Sequence, residues 1–284
     1  MFQSDDLRDR PIPPTGVSAT SADYRAIPFD PGDPRRDEPL VDITAHGIAG
    51  ESYYARSDGL NDPYRRQIKT DPRILCRRSV ARALCAVNAR LADYGVELFV
   101  LDGHRDPDTQ TALWNHFMDG ARAAMPGADE PALVAFATRF CSDPRRFDPT
   151  DAKTWPVHST GGAVDLTLRR MTTGELLFMG GIFDDAAPES FTRHFEQDAE
   201  PRSAGADAAR RHRRLLYHAM RAEGFTNYPY EWWHFDLGTQ MWALTRTAEL
   251  GRAVPAHYGY VPAPPVRGGK SSPSTATPSR ARCP

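Results

Sequence analysis

Two short segments, far apart in the chain, constrain the fold most: WPVHSTGGAVDLTL (155–168) and YEWWHFDL (230–237). Each sets titratable residues inside a run that otherwise reads as buried β-strand. Asp165 lies amid Gly-Ala-Val and Leu-Thr-Leu, and His234 lies in a run of tryptophan and phenylalanine. Aspartate is disfavoured in strands, and burying a carboxylate costs several kcal/mol unless a cation or hydrogen bonds compensate. A metal is such a cation. His158, Asp165 and His234 supply two imidazoles and a carboxylate, with a second carboxylate, Glu231, three residues before His234. That is the inventory of a catalytic zinc site, in which three protein ligands leave a fourth position for water and a nearby carboxylate takes the water's proton. A structural zinc site would be closed and richer in cysteine.

The spacing sets local requirements. His158 and Asp165 are bridged by STGGAV, whose two glycines let the backbone turn tightly enough for a loop histidine and a strand aspartate to converge. In a regular strand Glu231 and His234, three apart, would point to opposite faces. The pair therefore requires a turn or bulge near residues 230–232, which would let Glu231 stand beside the open metal position without ligating, as a general base. Beyond it, Trp233, Phe235 and Leu237 fall on one side, His234 and Asp236 on the other.

With 284 residues, 40% of them hydrophobic, the chain can build a sizeable core. Residues 1–38 carry repeated proline and charge and read as an extended arm; 39–258 form the folded unit; 259–284, rich in proline, serine and glycine, read as a flexible tail. ILCRRSVARALCAVNARLADYG (74–95) has the apolar spacing of a helix, with Cys76 on its buried face and Gly95 as a stop. VELFVLDG (96–103) reads as a buried strand, and DPDTQTALWNHFMDG (106–120) as a helix opened by Asp106 and Pro107. Further helices are expected at 130–141 and 206–223. GGAVDLTLRR and ELLFMGG are expected to form a hairpin through MTTG. Consecutive strands and separate helices in this order indicate an α+β fold with a mainly antiparallel central sheet flanked by helices.

A net charge of −2 gives no basic field for nucleic acid or anionic lipid. No apolar run suits a secretory signal or a membrane span, so the expectation is a soluble, cytoplasmic protein. Cys76, Cys85, Cys141 and Cys283 show no C-x-x-C pair, and the first two, about 13 Å apart on a helix, cannot bridge, so reduced thiols are expected. Oligomeric state has no signature in the sequence.

HSTGGAVDLTL and EWWHF, in that order, resemble the D-alanyl-D-alanine dipeptidases of the vancomycin-resistance (VanX) type, within the zinc D,D-peptidases. DGHRDP (102–107) and MGGIFDD (179–185) extend the likeness, which covers roughly residues 40–240. The resemblance implies the zinc D,D-peptidase fold (hedgehog/D-Ala-D-Ala peptidase-like), one Zn2+ per chain and a small dipeptide as substrate. It implies His158, Asp165 and His234 as ligands, Glu231 as catalytic base and acid, and Arg105 as the cation facing the scissile carbonyl oxygen. Asp184 stands where the family has an aspartate that receives the substrate's ammonium group, though a turn cap in FDDAAPES is an equal reading. Ser159 and Thr160 offer hydroxyls either to substrate or to the turn. Two positions depart from the family pattern: Pro156 replaces a serine and Thr160 an arginine, which weakens the preference for D-Ala-D-Ala. A D,D-carboxypeptidase or peptidoglycan endopeptidase on the same fold, and a non-catalytic zinc-stabilised binding module, remain as alternatives.

Overall fold

The computed structural model describes residues 6–15, 24–185, 187–197 and 203–265. In chain order the strands and α-helices are β1 (Leu40–Asp42), β2 (Ala49–Gly50), β3 (Leu75–Arg77), α1 (Arg78–Leu91), β4 (Val96–Asp102), α2 (Pro107–Ala124), α3 (Glu130–Ala137), β5 (Ala163–Arg170), α4 (Ala204–Ala222), β6 (Thr226–Asn227), β7 (His234–Asp236) and α5 (Gln240–Leu250). The chain is α+β. Five strands form one sheet in the order β2-β4-β5-β7-β6; β2 runs parallel to β4 and every other pair is antiparallel. β1 and β3 pair separately.

Alternation of apolar residues explains the core. Val80, Leu84, Val87 and Leu91 bury one face of α1 against the sheet, where Leu98, Val100, Leu166 and Leu168 are fully enclosed. Asp106 caps α2 by accepting from the Thr109 amide at 2.8 Å, with Pro107 in the first turn. No helix of the described residues is long and apolar enough to cross a membrane.

Several expected elements shift. The helix expected from 74 begins at Arg78, because Leu75–Arg77 pair with β1, setting Cys76 opposite Val41. The third helix ends at Ala137 rather than 141. The expected hairpin reduces to a turn at Gly174 (φ +74°) and one isolated bridge, Arg169 with Leu176. Leu177 and Met179 turn inward to the core while Leu176 and Phe178 are more than half exposed, so the run keeps a strand's alternation, and its backbone meets β5 through the Glu175 carbonyl and the Leu177 amide. Cys76 and Cys141 are free and buried, whereas Cys85 is disulfide-bonded, against the expectation of reduced thiols. The distance between Cys76 and Cys85 along the chain bars a bridge between those two and leaves Cys85 open to another partner.

Both ends of the chain lie on the domain where they are described. Glu196 accepts from the Ile12 amide, and His218 Nε2 donates to the Arg10 carbonyl at 2.9 Å. Residues 259–265, assigned by composition to the tail, are held by Arg77 donating to the Gly259 carbonyl, His104 to Val261 and Arg73 to Pro264. The arm's residues 1–5 and 16–23 and the tail's residues 266–284 lie outside the described residues.

One buried cation ties α4 to the segment that carries Asp184. Arg213, 2% exposed, donates to the carbonyls of Met179 (2.7 Å), Phe191 (2.9 Å) and Glu189 (2.5 Å). Among the described residues it has no carboxylate in ion-pair contact, and burial holds its pKa down at about 9. Replacing it by methionine removes these charge-assisted bonds and leaves three carbonyl acceptors without their donors. Arg213→Met is expected to destabilise the protein by about 3 kcal/mol in urea denaturation; an unchanged midpoint would contradict the clamp.

Candidate metal centre

The sheet register assembles the site. Asp102 on β4 lies opposite Asp165 on β5, and Asp165 lies opposite His234 on β7, so the three form one row across adjacent strands. Side chains directly opposite in this way stand about 5 Å apart at Cβ. A register shift between Val100 and Asp102 brings Asp102 into the row.

His158 enters from outside the sheet, on a 3-10 turn (Val157–Thr160) that leads into β5. Gly161 ends that turn at φ +72°, and a Cβ there would meet the Leu40 side chain at 2.4 Å. His158 Nδ1 contacts the Gly103 carbonyl at 2.8 Å, which leaves Nε2 facing His234 Nδ1 at 3.2 Å and Asp165 Oδ2 at 3.4 Å. His234 Nδ1 lies 3.0 Å from Asp165 Oδ1, while its Nε2 meets Asp236 Oδ2 at 2.9 Å; Asp236 in turn accepts from Thr239 Oγ1 at 2.7 Å.

One donor atom from each of His158, Asp165 and His234 therefore lies within 4.8 Å of the others, and all three residues are buried. Each imidazole has its second nitrogen engaged by a carbonyl or a carboxylate, which fixes ring orientation and turns the other nitrogen to the shared space. The donor set fits a divalent metal ion.

Glu231 also reaches this space. The chain turns at 228–234, with the Glu231 amide bonded to the Tyr228 carbonyl and the His234 amide to the Glu231 carbonyl. This is the turn that the offset of three required. It brings Glu231 Oε2 to 3.8 Å from His234 Nδ1. Burial pushes the Glu231 carboxyl well above the usual carboxylate range; the His234 charge opposes the shift, and Asp165 and Asp184 add to it. Burial also opposes ionisation of Asp165, but His158 and His234 outweigh it and hold that carboxyl below its usual range.

Arg105 lies three residues past the end of β4, in the turn that leads to α2, and is 6% exposed. Its guanidinium donates to Asp102 Oδ2 (2.9 Å), Gln110 Oε1 (3.2 Å), the Tyr54 hydroxyl (3.1 Å) and Asp165 Oδ2 (3.3 Å). It is a rigid cation on the cavity wall. Asp184, at φ +62°, accepts from the hydroxyls of Tyr54 (2.7 Å) and Tyr64. These bonds, not a turn cap, engage its carboxylate, which lines the same cavity as Arg105, Glu231 and the two histidines. Burial raises its pKa.

Ser159 and Thr160 are not brought to the cavity. Ser159 Oγ donates to the Arg105 carbonyl at 2.8 Å, and Thr160 Oγ1 donates to the Val157 carbonyl at 2.6 Å and accepts from the Gly162 amide. Both hydroxyls serve the loop that carries His158, as serine and threonine commonly do in turns. Pro156 and Val157 line the cavity instead. Asp236, Tyr54, Tyr64 and Gln110 support the site without having been assigned roles from sequence. Only Asp236 had a signal, its period-two placement beside His234.

Residues 39–250 match the family described as D-ala-D-ala dipeptidase, peptidase family M15. A protein of Synechocystis sp. named D-alanyl-D-alanine dipeptidase is 39% identical over 243 residues, spanning 78% of this chain and 88% of that protein. A Streptomyces coelicolor protein of the same name is 30% identical over 218 residues, 71% of this chain and 91% of its own length. An Escherichia coli protein, again so named, is 28% identical over 187 residues, 66% and 77% of the two chains.

The Asp236 contact gives a direct test of the centre. Asp236→Asn removes the charged acceptor behind His234 and is expected to weaken metal affinity about 10- to 100-fold, read by competition with a chelating dye. Unchanged affinity would contradict the assignment of His234 Nδ1 to the metal.

Proposed function

The chain belongs to the D-ala-D-ala dipeptidase family of peptidases, and from that membership we propose that it is a zinc dipeptidase hydrolysing D-alanyl-D-alanine, or a related D-configured dipeptide, to free amino acids. The observation that carries the reading is Glu231 Oε2 standing 3.8 Å from a nitrogen of the three-residue donor set, with the Arg105 guanidinium on the same cavity wall. His158 Nε2, His234 Nδ1 and the Asp165 carboxylate would hold the ion. Zinc in such a set supplies Lewis acidity, making water a nucleophile near neutral pH.

The protein's own groups account for the rest. Glu231 accepts the proton of the attacking water, and its raised pKa suits it to hold that proton and pass it to the departing amine as the C–N bond breaks. Arg105 faces the oxygen on which negative charge develops. Because Asp102, Gln110 and Tyr54 already fix its position, little reorganisation is needed as that charge appears. Asp184 takes the substrate's ammonium group and measures the peptide from its amino terminus, which favours a dipeptide over longer chains. The family resemblance and the placement of Asp184 on the cavity support this reading over a carboxypeptidase acting on long peptides.

Release of free D-alanine from D-alanyl-D-alanine by the zinc-loaded protein tests the proposal. Glu231→Gln keeps the shape of the side chain and is expected to lower kcat about 1,000-fold while metal content stays at one ion per chain. Equal rates in the two proteins would remove Glu231 from the reaction.

A further inference from the structure

A dipeptide at neutral pH carries an ammonium group at one end and a carboxylate at the other, and Asp184 answers only the first. Two arginines line the cavity. Arg105 is buried and already engaged by Asp102, Asp165, Gln110 and Tyr54. Arg139, just past the end of α3, is exposed. It rests over the Phe140 ring at 5.3 Å, and among the described residues its guanidinium has no carboxylate or hydrogen-bond partner. Pro156, on the same cavity, offers no donor.

The backbone fixes where Arg139 stands. Its carbonyl accepts from the Tyr228 hydroxyl at 3.3 Å, and the Tyr228 ring lies 5.9 Å from that of His234. Asp184 is reached by a different route, through Tyr54 and Arg105. The acidic and the basic residue thus approach the donor set through different neighbours.

Two hydroxyls share the cavity wall with Arg139. Ser142 follows it by three residues, and Tyr24 contacts Ser142 with its oxygen 3.5 Å from Oγ. Tyr24 precedes the family-matched region, 39–250. It is 1% exposed, and its segment is bound to α5 by Gln240 Nε2, which donates to the carbonyls of Arg25 and Ile27. The Ala256 amide donates to Pro28 as well. The tyrosine is therefore a fixed part of the wall, supplied by chain outside the family's common core.

We infer that Arg139, with the hydroxyls of Tyr24 and Ser142, forms the subsite for the substrate's terminal carboxylate. The inference rests on the dipeptidase reading. A guanidinium can bind a carboxylate through two parallel N–H donors, and the hydroxyls add neutral ones. Because Arg139 is exposed, the attraction weakens as salt rises.

The test compares D-alanyl-D-alanine with its C-terminal carboxamide on the zinc-loaded full chain. The wild type is expected to show a KM about tenfold higher for the amide. Arg139→Gln raises KM for the free acid about tenfold with kcat little changed, and leaves the amide's KM where it was. Arg139→Lys, which keeps the charge, recovers part of the loss. Tyr24→Phe gives a smaller rise, also confined to the acid. Equal rises on both substrates, or a wild type indifferent to the carboxylate, would overturn the subsite while leaving the dipeptidase intact. Hydrolysis of neither substrate by the wild type would remove the dipeptidase reading and the subsite with it.

Discussion

Asp102, Asp165, Asp184, Glu231 and Asp236 are each no more than 7% exposed and lie around one cavity or directly behind it. Among the described residues, one buried arginine, Arg105, and the imidazoles of His158 and His234 contact this group of carboxylates. Buried like charges are stable only when cations and donors compensate them. Arg105 bridges two of the carboxylates, two tyrosines hold a third, and His234 and Thr239 hold a fourth. What remains is a cluster that a divalent cation would complete; burial above all, with Asp165 and Asp184 adding to it, raises the Glu231 carboxyl above the usual carboxylate range.

The fold holds this cluster by simple means. A row of opposed positions on three strands fixes Asp102, Asp165 and His234, so the distance between two key groups is set by strand spacing rather than by a flexible loop. The residues that must approach from the side, His158 and Glu231, come from tight turns at the ends of those strands. Chain outside the sheet then braces the turns. Val261 donates its amide to the Ser159 carbonyl and accepts from His104, and Tyr24 packs in a small cluster with Val157. The terminal segments thus support the loop that carries His158 and form part of the cavity wall.

Much of the centre was legible because its chemistry conflicts with its surroundings. An aspartate and a histidine inside apolar β runs need a reason, and the offset between Glu231 and His234 predicted a turn that the structure contains. The α+β class followed from the order of elements. The rest depended on contacts between distant parts of the chain. Nothing local marks Tyr54 and Tyr64 as holders of Asp184, or Arg139 and Tyr24 as neighbours of the cavity. Ser159 and Thr160 were legible as hydroxyls but not in direction, since the loop's own backbone competes for them. Cys76 fits a helical pattern as well as a strand, and only pairing with Val41 decides between them. The second arm of the expected hairpin has the right turn and buries Leu177 and Met179, but among the described residues it pairs with β5 as one isolated bridge rather than a ladder.

The central claim is that His158, Asp165 and His234 form a preassembled metal site whose ligand nitrogens are dictated by Gly103 and Asp236. Diffraction from zinc-loaded crystals at the zinc absorption edge tests it most directly. One anomalous peak is expected, bounded by His158 Nε2, His234 Nδ1 and an Asp165 oxygen, with Glu231 adjacent but not bonded to the ion. A peak between His234 Nε2 and Asp236, or at any site that excludes Asp165, would contradict the account.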